Sequence, residues 1–142
     1  MPQGLVKPAN GILYAGQPLI QEYEVKTATS MYPGRLVITD TNEWNIKVAT
    51  SGAATVLGVL DVEPGQLRTT LYDDGDQARV LSGDIVVLLT KDADLAITIG
   101  QKVIPANSGM VQVTGAADVN AVGYALQAAV AASATLLVKL TI

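Results

Sequence analysis

At 142 residues, with 49% apolar and only 15% charged side chains, the chain suits one compact domain, or two halves sharing a core, and is too apolar to stay disordered. It has no cysteine and no histidine, which removes disulfide frameworks, thiolate metal sites and the usual residue of zinc ligation, Ser-His-Asp catalysis and general base work near neutral pH. The net charge of −4 and the single scattering of nine basic residues argue against nucleic-acid binding, which needs clustered Lys and Arg for counterion release.

The apolar palette lacks Phe and holds a single Trp; Val, Leu, Ile, Ala and Thr dominate, which fits pleated sheets better than helices. No apolar run approaches the roughly 18 residues that span a bilayer, so no membrane partner is expected. Met1-Pro2-Gln3-Gly4 lacks the basic start and apolar run of a signal peptide, which predicts a protein that is soluble and cytoplasmic when made.

In chain order, residues 1–31 stand apart. Pro2, Pro8 and Pro18 with Gly4, Gly11 and Gly16 break up the first eighteen residues, yet Leu5, Val6, Ile12, Leu13, Tyr14, Leu19 and Ile20 lie among them. This reads as an extended arm with apolar anchors. From Gln21, alternation through Tyr23 and Val25 marks a half-buried or edge strand. Either the arm ties onto its own domain or it adds to a partner's sheet edge.

Residues 32–142 read as a single β-domain. Tyr32-Pro33-Gly34 is a turn leading into the strand Leu36-Val37-Ile38, the polar turn 40–43, and an alternating strand that puts Trp44, Ile46 and Val48 on one face, with Trp44 expected in the core. Gly58, in the middle of the strand 56–62, predicts a bulge or a close backbone approach. The acidic turn Asp73-Asp74-Gly75-Asp76 lacks the alternate ligands and distant Glu of an EF-hand loop, so no metal or other cofactor is expected. Residues 85–90 read as a strand buried on both faces. The alanine-rich stretch 127–134 is open between a short helix and a loop.

Within this order one plan occurs twice. Gly100-Gln101-Lys102-Val103-Ile104 aligns with Gly34-Arg35-Leu36-Val37-Ile38; after a one-residue deletion Val111-Gln112-Val113 aligns with Ile46-Lys47-Val48, and Gly123 with Gly58. The predicted architecture is therefore an all-β barrel or sandwich of two similar units, halves 34–90 and 99–142, joined by the buried run 85–90, with an extended N-terminal arm and at most one short helix. No catalytic constellation is present: there is no Walker loop, GxSxG or GxGxxG. Asp61 and Glu63 share a strand face and could pair as acid and base, but a solvated strand end accounts for them more simply. The chain reads as a stable surface and not as an enzyme.

The segments Ile99-Gly100-Gln101-Lys102-Val103-Ile104, Gly109-Met110-Val111-Gln112-Val113, Val122-Gly123-Tyr124-Ala125-Leu126 and Leu137-Val138-Lys139-Leu140 resemble the glycine-led, "apolar-x-apolar", "(V/I)GxAL" and V-x-L strands of capsid decoration (cement) proteins of tailed double-stranded DNA viruses. The first copy, with Thr69-Thr70-Leu71-Tyr72, is similar to the core of lambda-type head decoration proteins, and the likeness covers residues 34–142. It implies a virion protein on the outer capsid surface that binds the major capsid protein, self-associates as a trimer, and has no catalytic residues. A tail-tube or head-completion protein is the alternative, a small-ligand barrel a more distant one. The resemblance also implies that the arm engages the shell, through Leu5, Val6, Ile12, Leu13, Tyr14, Leu19, Ile20, Tyr23 and Val25.

Overall fold

The structure, a computed structural model, describes residues 11–53, 55–62, 67–92, 96–113 and 120–142. Eleven strands form along the chain: β1 (Leu13–Ala15), β2 (Leu19–Val25), β3 (Leu36–Thr39), β4 (Asn45–Val48), β5 (Gly58–Leu60), β6 (Gln77–Ser82), β7 (Val86–Thr90), β8 (Lys102–Pro105), β9 (Val111–Val113), β10 (Gly123–Ala125) and β11 (Thr135–Leu140). A 3₁₀ turn at Asn107–Gly109 is the only helical element among the described residues. The alanine-rich stretch is a loop: Ala129 exchanges both backbone hydrogen bonds with Ile97, at 2.8 Å each. An extended pairing partner satisfies more backbone than an uncapped eight-residue helix could.

β2 to β6 close into a barrel in the order β2-β4-β3-β5-β6; β1 and β7 to β11 form a six-stranded sheet in the order β1-β7-β11-β10-β8-β9. The duplication is visible strand for strand. In the first unit Val37 faces Val48 and Gly58; in the second Val103 faces Val113 and Gly123. The equivalence extends past the segments that align in sequence. β6 pairs with β5 as β11 pairs with β10, Leu81 and Lys139 opposing Val59 and Tyr124. β2 pairs with β6 as β7 pairs with β11, Glu24 facing Gln77 and Thr90 facing Thr135. Even the parallel closure recurs, as Val25 with Ile46 and as Lys91 with Val111. The run at 85–90, expected to join the units, thus contains the first strand of the second unit, and β2 is the first strand of the first.

The two units differ at this closure. In the first, the Glu24 N–H donates to the Trp44 carbonyl (2.9 Å) and the Lys26 N–H to that of Ile46 (3.3 Å). In the second, the Thr90 N–H donates instead to the carbonyl of Gly34 (2.9 Å), while Gly109 packs against the backbone of Leu36 and donates its N–H to the Ala49 carbonyl. The segment Gly34-Arg35-Leu36 thus sits between β7 and β9 there, and the closure of the second unit is reduced to the Lys91–Val111 bridge, at which the Asp92 N–H donates to the Val111 carbonyl (2.9 Å). β1 takes the rest of the same edge of β7, the Leu88 N–H donating to the Ile12 carbonyl at 2.9 Å, while β11 pairs along the other.

Strand alternation then sorts the side chains. In the first unit Val37, Leu60 and Val80 point inward with Val25, Ile46 and Met31. Their neighbours Leu36, Val59 and Leu81 point outward, into a larger core shared with Val87, Val103, Val138 and Leu140 of the second unit. Full burial of each such side chain contributes about 1.5–3 kcal/mol. Gly58 is a close approach, as its mid-strand position predicts: a Cβ there would overlap the Leu81 carbonyl oxygen, and one at the equivalent Gly123 would overlap that of Lys139. Gly58→Ala and Gly123→Ala should each destabilise the protein by roughly 1–3 kcal/mol in urea denaturation. Equal stability to wild type would show that the strands can part. Deleting residues 1–25 removes a barrel strand and should abolish the cooperative unfolding transition.

Candidate functional site

No enclosed, polar-lined pocket stands out among the described residues; the functional question concerns surfaces. The acidic turn uses its carboxylates locally. The Asp73 N–H donates to Asp76 Oδ2 (2.8 Å) and the Ala28 N–H to Asp74 Oδ1 (2.7 Å), so these side chains cap the chain ends around β2 and β6. Asp61 pairs with Arg79 (Nη2 to Oδ2, 3.0 Å), and its carbonyl accepts from the Tyr72 hydroxyl at 2.6 Å. Its proposed acid–base partner Glu63 lies outside the described residues. Among the described residues no three His, Cys, Asp or Glu side chains gather where an ion could be held.

The nine arm residues separate into groups. Leu5 and Val6 lie outside the described residues. Ile12 and Val25 are fully buried, one in each core, because β1 is paired with β7 and β2 with β4 and β6. Leu13, Tyr14 and Tyr23 are half-buried; burial raises the Tyr14 phenol above its ordinary pKa, against a smaller lowering by nearby Arg68. Leu19 and Ile20, at the start of β2, remain exposed, at 58% and 48%. From residue 13 the anchors thus sit within sheets instead of along a detached arm, and Leu19 and Ile20 are the pair left available to a partner.

Trp44 departs from expectation: it is 67% exposed, while Asn45 and Ile46 are buried. The Asn42 side chain accepts the Trp44 N–H (2.8 Å), a local Asx turn that places Trp44 just before the strand starts, so the alternation from which it was read inward begins only at Asn45. Trp44 lies beside a shallow groove along the β2–β4 seam, with Glu22, Glu24, Lys26, Asn42 and Gln77.

The second surface that sequence reading missed is a row across the second unit. Lys102, Tyr124 and Lys139 are direct cross-strand neighbours on β8, β10 and β11, at the positions held in the first unit by buried Leu36, Val59 and Leu81. The aligned copies contain the signal, since Leu36 opposite Lys102 changes an apolar residue for a charged one at an equivalent strand position. Lys139 Nζ contacts Asp84 at 3.0 Å, and the Asp84 side chain is itself largely in solvent.

The geometry is that of tandem β-units with an exposed cross-strand row on one unit and a shallow surface groove on the other. The chain belongs to the XM1 gp53 minor capsid protein family, whose model matches residues 3–142, and is therefore a capsid-associated structural protein of a phage. In fold it is similar to the head fiber gp8.5 N base of bacteriophage phi29, with a TM-score of 0.61 at 14% identity over 88% of this chain and 95% of that one. No curated protein matches it by sequence.

Exposure separates adjacent residues of this region. Trp44→Ala should change stability by no more than about 0.5 kcal/mol, whereas Ile46→Ala, two residues on and fully buried, should cost roughly 2–5 kcal/mol. Chemical denaturation of the two variants, followed by circular dichroism, checks the assignment; a large loss for Trp44→Ala would return it to the core.

Proposed function

We propose that the protein binds the outer surface of an assembled phage capsid as a non-enzymatic decoration protein, contacting the major capsid protein and acting as a homo-oligomer, a trimer on the decoration-protein resemblance. The observation that carries this reading is the minor-capsid family match over nearly the whole chain. The fold neighbour is named as the base of a head fiber, a component that has to be fixed to a head, which favours the same reading. A cement protein must hold against the outward pressure of packaged DNA, and many small contacts repeated by symmetry do so without any single strong one. The acidic balance of the chain suits a position outside the shell, where attraction to nucleic acid would interfere with assembly.

Within the candidate arm, the exposure of Leu19 and Ile20 favours these two as the contact. Two neighbouring exposed aliphatics at the mouth of a rigid strand can be desolvated by a partner with little loss of conformational entropy.

Co-sedimentation of the purified protein with expanded shells of its phage tests the reading. Wild type should pellet with the shells, and the double substitution Leu19→Asp, Ile20→Asp should weaken binding at least tenfold while leaving the circular dichroism spectrum unchanged. Unchanged binding of the variant would remove these residues from the contact, and failure of wild type to pellet would count against the decoration role itself.

A further inference from the structure

A sugar ring in the pyranose form offers a protein two kinds of surface: a face of polarised C–H groups, and a rim of hydroxyls that each donate and accept. The face is matched by an indole, whose π surface carries negative charge, and the rim by planar carboxylates and amides. The groove on the β2–β4 seam supplies both. Trp44 stands 67% exposed at its side, and the carboxylates of Glu22 and Glu24 and the amides of Asn42 and Gln77 line it.

These groups are held in place, and much of their hydrogen-bonding capacity is unused. The Trp44 N–H donates to Asn42 Oδ1 (2.8 Å) and the Trp44 carbonyl accepts from the Glu24 N–H (2.9 Å), so the backbone that carries the indole is fixed from both sides. Glu24 Oε1 accepts from Nδ2 of the buried Asn45 (3.0 Å), whose Oδ1 in turn accepts from the Thr41 hydroxyl (3.0 Å). That relay orients the carboxylate and leaves Oε2 for an incoming hydroxyl. The side chains of Glu22 and Gln77 and the Asn42 amide nitrogen make no hydrogen bond to another described residue. Little conformational entropy is lost when a ligand meets groups already fixed to strands.

We propose that this groove binds a pyranose unit of a polysaccharide, with Trp44 stacked on the ring face and Glu24, Glu22, Asn42 and Gln77 taking its hydroxyls. Other partners fit less well. A nucleic-acid base would stack on the indole, but its phosphates would meet two carboxylates. An extended peptide needs a free strand edge, and β2 is paired on both sides, with β4 and with β6. A cationic side chain would meet Lys26, which lines the same groove. A neutral ring meets none of these obstacles. The shell contact proposed at Leu19 and Ile20 lies at the other end of β2 from Glu24, about 16 Å away at about 3.3 Å per residue, which sets Glu24 and Trp44 apart from it. Sugar binding by the single chain does not rest on the capsid reading; only the added avidity of many copies on one shell does.

Trp44 is the only tryptophan of the chain, so its emission reports on this groove alone. The full chain is titrated with glucose, galactose, mannose and N-acetylglucosamine and with a tetrasaccharide of each. At least one of them should shift the emission to the blue and saturate, with a dissociation constant of order millimolar, as expected for a ligand of about a dozen heavy atoms. The constant should be the same at about 0.05 M and about 0.5 M sodium chloride, because the ligand is neutral. In saturation-transfer NMR with that sugar, Trp44→Ala should weaken binding at least tenfold and Trp44→Phe should retain most of it. Glu24→Gln, which keeps an acceptor for Asn45, should weaken it severalfold with an unchanged circular dichroism spectrum. No response to any of these sugars at about 100 mM, or Trp44→Ala binding as wild type does, overturns the proposal. So does affinity that falls steeply with salt, or a saturable shift with an arginine-rich peptide and none with the sugars, since either assigns the groove to a basic partner. Shell co-sedimentation is scored separately: Trp44→Ala should pellet as wild type does, and a wild type that fails to pellet leaves the sugar titration standing.

Discussion

The structure depends on the seating of Gly34-Arg35-Leu36 between β7 and β9. This segment meets the second unit at three points: the Gly34 carbonyl takes the Thr90 N–H, the backbone of Leu36 abuts Gly109, and the Arg35 guanidinium donates to the Ser108 carbonyl at 2.9 Å. The same guanidinium lies 5.2 Å from the Tyr32 ring centre, and burial lowers its pKa, with Tyr32 acting in the opposite sense. Because backbone groups at a strand edge must be paired or solvated, the stretch of edge that this segment takes is lost to the closure of the second unit, which keeps only the Lys91–Val111 bridge. The full parallel pairing of the first unit and the single bridge of the second are therefore consequences of a single contact.

Duplication followed by divergence explains the rest of the asymmetry. Positions that point into each unit stay apolar in both copies: Val37 with Val103, Val80 with Val138, Ile46 with Val111. An exception is Lys91, fully buried at the position of Val25, whose ammonium donates to the carbonyls of Asp92 (2.6 Å) and Ala131 (3.0 Å) and so satisfies carbonyls near the open seam. Positions that point outward diverge according to what covers them, and the Leu36, Val59, Leu81 row against Lys102, Tyr124, Lys139 is the clearest case. For a capsid-associated protein this separates two tasks, since the inner positions maintain the body and the outer rows are free to choose partners.

The strand content, the absence of long helices and the core of the repeat were legible because glycine turns and period-two alternation are local properties. Gly58 illustrates this: a glycine inside a strand means that another backbone comes close, and the Leu81 carbonyl is that backbone. Trp44 illustrates the limit, because its side was read from alternation that starts one residue later. Leu19 and Ile20 illustrate it differently. The same kind of aliphatic residue is buried at position 12 and exposed at positions 19 and 20, and only the pairing of β1 with β7 decides which.

By itself the sequence determined an all-β chain with two similar units, because side-chain size, β-branching and glycine placement restrict each short segment to a strand or a turn whatever its neighbours do. What only the tertiary structure decided was the extent of the repeat, the full closure of one barrel against the single bridge of the other, and which apolar or charged rows face solvent. Those depend on contacts between residues far apart in the chain, such as Gly34 with Thr90, and no local pattern encodes the partner of a free strand edge.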